Sequence, residues 1–256
     1  KHANPLRGSN SGVGPIEING ELAMTNEAMQ TTLQTAKLAV VGTGGIGSML
    51  VPLLVRSLHD GGLVRKLGGV RITLFDSDQV EARNTLFQNF VQDDIGKKKV
   101  DSLKAALSCF ENDFLEIVAI AEDVRSPSDM EDQDLVVVCV DSSQARSAVH
   151  ASKSKWADLR CSGDGYIALD HSVDATTRSD LTGQQEPASC QLDGAIESGN
   201  LQMGFAAVAA WGAQWAIQSL REMAGEENAK TPRPGSSSIT FGTLGFLPLE
   251  GGRQDD

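Results

Sequence analysis

Runs of apolar residues alternate with amphipathic segments along most of this chain. Strands are predicted at the apolar segments 38–41, 71–75, 115–121, 135–140 and 158–169, of which 135–140 is a continuous run rich in Val and Leu. Helices are predicted between and after them, at 46–59, 94–110, 143–155 and 201–223. Apolar strands without alternation are typical of a parallel sheet that is covered on both faces. The pattern therefore predicts an α/β fold, with a mostly parallel sheet and helices on both faces.

The segments outside these elements are polar and predict an arm and several loops. Residues 1–22 are rich in Gly, Asn, Ser and Pro and predict an irregular N-terminal arm. The remainder, 23–256, is long enough for one α/β domain with its own core. Weaker expectations are a helix at 25–35, an insert at 63–69, a long crossover loop at 172–198 and a short C-terminal hairpin at 238–249.

Composition excludes several classes of protein. The net charge of −12 argues against a nucleic-acid surface, where phosphate contacts need clustered Lys and Arg, and it is compatible with a basic protein partner. No apolar run approaches the roughly 20 residues that span a bilayer, so we expect no membrane segment. The four cysteines form no Cys-x-x-Cys pair, which argues against a zinc site. Reduced thiols and a cytoplasmic location are expected.

The sequence Gly42-Thr43-Gly44-Gly45-Ile46-Gly47 lies between the first strand and the first helix. Such a turn directs free backbone N–H groups and the positive end of a helix dipole at a phosphate. Ligands of open parallel sheets bind at the carboxyl ends of the strands. Asp76 and Asp141 each follow such an end, directly after Phe75 and Val140. Together they predict a nucleotide site on a Rossmann-like sheet.

A polar cluster that follows the second strand predicts which kind of nucleotide chemistry occurs. Asp76 is placed to accept hydrogen bonds from ribose hydroxyls. A hydride-transfer enzyme does not need the amides and cations that come next. Formation of an adenylate does need them, to hold a triphosphate, and it needs a carboxylate to hold magnesium. Asn84, Gln88 and Lys99 supply the amides and the cation, and Asp141 supplies the carboxylate. Asp78 is either a carboxylate that supports these ligands from behind or a cap for the next turn.

These motifs resemble the ThiF/MoeB/E1 family, which activates ubiquitin-like and sulfur-carrier proteins. Their order is G-x-G-G-x-G, D-x-D-x-V-E, N-x-x-x-Q, G-x-x-K and an apolar strand that ends in Asp, and the match runs from about 37 to 220. The resemblance implies an ATP-dependent adenylyltransferase. The C-terminal glycine carboxylate of a small β-grasp protein would attack the α-phosphorus of ATP and release pyrophosphate.

The resemblance also assigns roles to the predicted site. It implies that the nucleotide is contacted by Gly42, Gly44, Gly45 and Gly47, and that the ribose is bound by Asp76. It also implies that the phosphates are contacted by Asn84, Gln88 and Lys99, and that Mg²⁺ is bound by Asp141. Lys99 is chosen among three lysines because it keeps the G-x-x-K spacing from Gly96. Cys190 lies in a Ser-Cys-x-x-x-Gly segment of the predicted crossover loop, where several family members carry an acyl-accepting thiol. A thiolate in a mobile, exposed loop would suit that transfer; an ordinary loop cysteine is the alternative.

One position departs from the family pattern. Phe87 stands where N-x-x-R-Q has its arginine, which would help to neutralise the triphosphate. Three interpretations stay open: weak catalysis, compensation by Arg83, or a degenerate subunit that scaffolds an active partner. ATP-dependent dehydration of a modified tRNA base and an NAD-dependent dehydrogenase are alternative functions on this fold.

The resemblance further implies partners besides the β-grasp protein. We expect a homodimer or a heterodimer, and an E2-like protein or a sulfurtransferase that acts downstream. Neither the identity of the carrier nor the choice between sulfur transfer and protein conjugation follows from the residues.

Overall fold

An eight-stranded sheet organises the part of the chain that the computed structural model describes, namely residues 34–182, 189–240 and 242–246. Its strands are β1 (Ala36–Val41), β2 (Val70–Phe75), β3 (Leu115–Ile120), β4 (Leu135–Val138), β5 (Lys155–Ser162), β6 (Gly165–Asp170), β7 (Gly235–Ser238) and β8 (Gly242–Phe246). Their order is β3-β2-β1-β4-β5-β6-β7-β8. The first five strands are parallel, and β6 to β8 continue the sheet as antiparallel neighbours. The predicted mostly parallel, Rossmann-like sheet is confirmed.

Helices pack on both faces of this sheet. They are α1 (Gly45–Leu58), α2 (Gly62–Lys66), α3 (Lys99–Leu107), α4 (Ser143–His150), α5 (Ala175–Thr182) and α6 (Gly204–Met223). Successive residues of a strand point to opposite faces, so β1 contributes Leu38 and Val40 to one core and Ala39 and Val41 to the other. The first core includes residues of α1, α3 and α6, and the second includes residues of α4. This two-sided burial explains why β4 and residues 38–41 of β1 are apolar at every position.

The register of the sheet brings the predicted site together. Val41 at the end of β1 pairs with Phe75 at the end of β2 and with Val138 at the end of β4. The residues that follow these three ends therefore leave the sheet at one edge. Gly42 and Asp76 come next on their strands, and Asp141 follows β4 by three positions.

Several predicted boundaries differ from the structure. The run 158–169 is two strands, because Gly163 adopts φ +61° and reverses the chain between β5 and β6. The insert at 63–69 contains α2, and the expected crossover loop at 172–198 contains α5. The C-terminal hairpin begins earlier than expected, with β7 at Gly235.

Some expectations fall outside the described residues. They are the arm at 1–22, nearly all of the helix at 25–35, and parts of the crossover loop and of the hairpin. Within the described ranges, no helix is both long enough and apolar enough to cross a membrane.

Candidate functional site

A cavity of about 580 Å³ opens at the carboxyl edge of the sheet. All the predicted site residues except Gly47 line it: Gly42, Gly44, Gly45, Asp76, Asp78, Asn84, Gln88, Lys99, Asp141 and Cys190. They follow the ends of β1, β2 and β4 or lie in the segments 84–99 and 189–190, far apart in the sequence. The cavity is large enough for a small-molecule ligand such as a nucleotide.

The glycine turn forms the floor of this cavity. Gly42 has φ +91°, and a Cβ there would lie 2.7 Å from Cγ1 of Val140, so both conformation and space require glycine. Gly44 is the N-cap residue of α1, and a Cβ added to it would meet no atom within 4 Å. Because glycine has no side chain to cap the helix, the first N–H groups of α1 are left to bind an anion. The cradle therefore fits a phosphate.

Gly47 has a different place from the one we expected. It does not line the cavity, and a Cβ there would lie 2.0 Å from the carbonyl oxygen of Gly42. The residue thus allows the first turn of α1 to pack directly against the glycine turn. Its effect on a bound nucleotide acts through the shape of the backbone.

Asp76 ties the end of β2 to the glycine turn. Its Oδ2 accepts hydrogen bonds from the Thr43 amide at 2.7 Å and from the Thr43 hydroxyl at 2.9 Å. Its Oδ1 accepts one from the amide of Asp78 at 2.9 Å. Each carboxylate oxygen has about two acceptor positions, so Oδ1 retains one for a hydroxyl group. The carboxylate can therefore hold both the turn and a ribose.

Lys99 is held at the rim of the cavity by Asp78. The Lys99 ammonium lies 2.8 Å from Oδ2 of Asp78, and the Lys99 amide donates to the Asp78 carbonyl at 3.1 Å. The lysine side chain is only 9% exposed, whereas that of Asp78 is 66% exposed. A phosphate that approached this rim would therefore meet a pre-positioned cation whose partner can turn toward solvent.

The two amide residues lie in and just after a short 3-10 helix, Ala82–Leu86. Asn84 is buried, and its Oδ1 accepts the Glu81 amide at 2.8 Å, which fixes the start of that helix. Gln88 donates its backbone amide to the Asn84 carbonyl at 2.8 Å. Within the described part of the chain, Oε1 of Gln88 is buried without a hydrogen-bond partner. An orphaned polar atom that faces a cavity indicates a position where a ligand would supply the missing partner.

Phe87, in the place of the family arginine, belongs partly to the core. Its ring contacts that of Phe205 edge-to-face, with centroids 6.0 Å apart, while it also lines the cavity. Arg83, named above as the compensating arginine, lines the same cavity and pairs with Glu81 at 2.8 Å.

A second arginine at the cavity was missed by sequence reasoning. Arg125 follows the end of β3 and pairs with Asp123 at 3.3 Å. A hydrogen bond from Ser77 and the charge of Arg125 lower the pKa of Asp123, so the pair stays ionised. The available signal was the position of Arg125 shortly after a strand end, where ligands of parallel sheets bind. Two arginines from separate loops therefore face the site.

A buried ionic network supports the segment that carries Asp141. Arg146 of α4 donates to the carbonyl oxygen of Val140 and, at 3.5 Å, to that of Asp141. Its Nε lies 3.4 Å from Oδ1 of Asp158, which is fully buried. Burial alone would raise the pKa of Asp158, but hydrogen bonds from His150 and Arg160 bring that pKa below its ordinary value. The carboxylate therefore stays charged beneath the site.

The carboxylates of the cavity suit a magnesium ion that arrives with phosphates. No group of three or more His, Cys, Asp or Glu side chains among the described residues converges to hold a metal by itself. Mg²⁺ commonly uses one or two carboxylates together with substrate phosphates. Asp141, which lines the same cavity as the glycine turn, fits that use.

Cys190 lies over the N-terminus of α1. Its Sγ is 3.0 Å from the position of a Cβ built on Gly45, the first residue of α1. The neighbouring Cys161 thiol and the Ile46 amide lower the pKa of Cys190, against burial and the charge of Asp141. Cys190 is half-buried, contrary to the exposed loop that we expected. A lowered pKa increases the fraction of the thiol that is present as the more nucleophilic thiolate.

The comparison with known families decides the identity of this fold. The family model described as the ThiF family matches residues 18–237. This chain belongs to the ThiF family. It therefore has the E1-like adenylating-enzyme fold with a nucleotide site, and the predicted family is confirmed.

One relative matches part of this ThiF-family chain. The tRNA threonylcarbamoyladenosine dehydratase of Bacillus subtilis (strain 168) is 34% identical over 101 residues, which are 39% of this chain. The match spans only 35% of that relative's length.

Solved structures share the fold at low identity. The crystal structure of PaaA is 16% identical with a TM-score of 0.54, over 92% of this chain and 76% of that chain. The crystal structure of E. coli MccB with ATP is 17% identical with a TM-score of 0.54, over 85% of this chain and 66% of that chain. MccB, described as a microcin C7 biosynthetic enzyme, has also been solved with N-formylated MccA (17% identity, TM-score 0.55, 85% of this chain and 65% of that chain).

Proposed function

We propose that this ThiF-family protein uses ATP to adenylate the C-terminal glycine of a ubiquitin-like or sulfur-carrier protein and then takes the acyl group on Cys190. The observation that carries the proposal is that a phosphate-binding turn and an activated thiol share one cavity. Sγ of Cys190 lies 3.0 Å from the Cβ position of Gly45, next to the open face of Gly44. An enzyme that only bound a nucleotide would not need a nucleophile there.

The residues of the cavity supply what adenylation requires. The amides of the glycine turn, together with Arg83, Arg125 and Lys99, face the place where a triphosphate would carry its charge. Fixed donors at a site of developing negative charge are commonly the largest contribution to this kind of catalysis. Asp141 would hold Mg²⁺, and that ion would neutralise phosphate charge and orient the leaving pyrophosphate. Asp76 would orient the ribose while it keeps the turn in place.

Thioester formation would follow in the same cavity. The Cys190 thiolate attacks the carbonyl carbon of the acyl adenylate, a C–S bond forms, and AMP leaves with the electron pair of the broken C–O bond. The N-terminus of α1 and the Ile46 amide stabilise the thiolate before the attack. Downstream, an E2-like protein or a sulfurtransferase would take the acyl group.

A second candidate is the ATP-dependent dehydration of a modified tRNA base. The 34% identity with the Bacillus subtilis dehydratase favours it, over a segment that covers 39% of this chain. The net charge of −12 opposes it, since tRNA binding needs a positive surface. A degenerate scaffold subunit is favoured by Phe87 alone, and Arg83 and Arg125 at the same cavity speak against it. A dimer and a cytoplasmic location stay predictions.

Exchange of radiolabelled pyrophosphate into ATP tests the proposal. The assay contains the protein, ATP–Mg²⁺ and a candidate β-grasp protein that ends in glycine, with the same carrier lacking that glycine as its control. We expect exchange only with the intact carrier, no exchange for Asp141→Ala, and full exchange for Cys190→Ala, which instead loses the thioester. Exchange that required tRNA, or that no carrier supported, would contradict the proposal.

A further inference from the structure

Gln191, the residue after Cys190, fixes the segment that carries the thiol. Its side chain donates through Nε2 to the carbonyl oxygen of Gln202 at 2.8 Å and accepts the amide of Gln202 through Oε1 at 2.9 Å. Gln191 is only 4% exposed, so water competes little for these two hydrogen bonds. One side chain thus pairs with both main-chain groups of a residue 11 positions further along the chain.

The residue that Gln191 binds belongs to a closely packed part of the fold. Gln202 lies just before α6, whose first residue, Gly204, donates its amide to the carbonyl oxygen of Gly163 at 3.1 Å. A Cβ built on Gly204 would lie 2.5 Å from that oxygen, so the start of α6 packs directly on the turn between β5 and β6. The amide of Gly163 in turn donates to the carbonyl oxygen of Cys190 at 3.0 Å. Two separate contacts therefore hold Cys190 and Gln191 against the same turn and helix start.

This backbone determines where the thiol of Cys190 lies. Its Sγ is 3.0 Å and its Cβ 3.4 Å from the position of a Cβ built on Gly45, the first residue of α1. Because glycine has no side chain, the thiol packs directly against the first turn of α1. The field of a helix terminus falls off within one turn, so a small displacement of the thiol would weaken its effect on a thiolate.

We propose that Gln191 is a positioning residue, whose two hydrogen bonds to Gln202 hold the thiol of Cys190 at the N-terminus of α1 for acyl transfer. The inference rests on the proposed function, because it gives this contact a purpose in the attack of Cys190 on the adenylate. Gln191 itself does not line the cavity. Its amide neither gains nor loses a proton during the reaction.

Only a primary amide of this length makes both hydrogen bonds. Gln191→Met keeps the length of the side chain and loses both bonds. Gln191→Glu keeps the shape and an acceptor, but an ionised carboxylate has no donor for the carbonyl oxygen of Gln202. Gln202→Ala is the matched control, because Gln191 binds only the main chain of that residue. Within the described part of the chain, Oε1 of Gln202 is buried without a hydrogen-bond partner, so its removal breaks no bond of that atom.

The test is the pH dependence of iodoacetamide alkylation at Cys190, read by mass spectrometry on the full chain without ATP and with a chelator. The titratable and charged groups that surround this thiol are unchanged in every variant; they are Asp141, Arg146, Cys161 and Cys139. A change in the apparent pKa of Cys190 therefore reports a change in its position. We expect Gln191→Met and Gln191→Glu to raise that pKa by about half a unit, and Gln202→Ala to leave it within about 0.2 of the wild-type value.

Two controls separate positioning from general damage. Cys109 is exposed and reports the activity of the reagent in every variant. Urea unfolding identifies the conditions under which each variant is fully folded, and Gln191→Asn, which is too short to make both bonds, replaces a variant that does not fold. With ATP and a carrier protein, the Gln191 variants should keep pyrophosphate exchange within about twofold of wild type while thioester formation slows about tenfold.

An unchanged apparent pKa of Cys190 in the Gln191 variants would overturn the role of Gln191, and so would an equal change in Gln202→Ala. The alkylation measurement needs neither ATP nor a carrier protein. Failure of pyrophosphate exchange in the wild type would therefore overturn the proposed function alone, and failure of the contrast between Gln191→Met and Gln202→Ala would overturn the role of Gln191 alone.

Discussion

The two glycines of the α1 start, Gly44 and Gly47, should respond differently to the same added methyl group. At Gly47 a Cβ would lie 2.0 Å from the carbonyl oxygen of Gly42 and 2.9 Å from its carbon. Real Cβ contacts do not fall below 3.0 Å, so helix and turn would have to separate by about 1 Å. At Gly44 the same methyl group would meet nothing within 4 Å.

The expected magnitudes follow from these distances. Overpacking against a rigid backbone lowers the free energy of unfolding by about 1–3 kcal/mol or more. The higher helix propensity of alanine offsets up to about 1 kcal/mol of that loss. Gly47→Ala should therefore lower the free energy of unfolding by about 1–2 kcal/mol, and the melting temperature by about 2–4 °C for each kcal/mol. Gly44→Ala should cost less than about 1 kcal/mol, as a change at a half-buried N-cap with open space around it.

ATP binding separates the two roles. The Gly44 methyl group would occupy the phosphate cradle directly, so Gly44→Ala should weaken ATP binding at least about tenfold with little change in stability. Gly47→Ala should weaken ATP binding and also lower the stability of the fold, because it displaces the glycine turn. Urea unfolding and calorimetric ATP–Mg²⁺ binding on both variants provide the test. A Gly47→Ala variant as stable as the wild type, or a Gly44→Ala variant that bound ATP normally, would refute this account of the turn.

Two further predictions concern charged groups. Arg83→Ala and Arg125→Ala should each weaken ATP binding by about threefold to tenfold and reduce its dependence on ionic strength. Calorimetry at two salt concentrations checks this. Unchanged ATP affinity in both variants would show that neither arginine faces the phosphates. Asp158→Asn should destabilise the fold by about 3–5 kcal/mol, because Arg146 and Arg160 would lose a buried counter-charge. The lowered pKa of Asp158 in the folded state means that its stabilisation is complete above its unfolded pKa of about 3.9 and is lost as the pH falls through the folded pKa. Urea unfolding should therefore show a smaller loss of stability below about pH 4 in the variant than in the wild type.

Much of the site was predictable because it depends on local pattern and one topological rule. The glycine turn, Asp76 and Asp141 each follow an apolar run directly or closely, and parallel strands present such residues at one edge. The family pattern then selected Lys99 among three lysines, and the structure places it at the cavity with Asp78 as its partner.

Other features depended on packing that no local pattern carries. Gly47 looked like a nucleotide ligand, but it serves the approach of α1 to Gly42. The strand at 158–169 looked continuous, and only the positive φ of Gly163 reveals the reversal.

By itself the sequence therefore determined the family, the alternation of strands and helices, and the residues that reach the carboxyl edge of the sheet. These follow from periodicity and from the chain direction of each strand. Only the tertiary structure decided that Cys190 lies over the N-terminus of α1, that Arg125 joins Arg83 at the cavity, and that Arg146 holds the carbonyls around Asp141. Such contacts join side chains from separate elements, and their distances depend on how those elements pack, which periodicity and spacing along the chain do not contain.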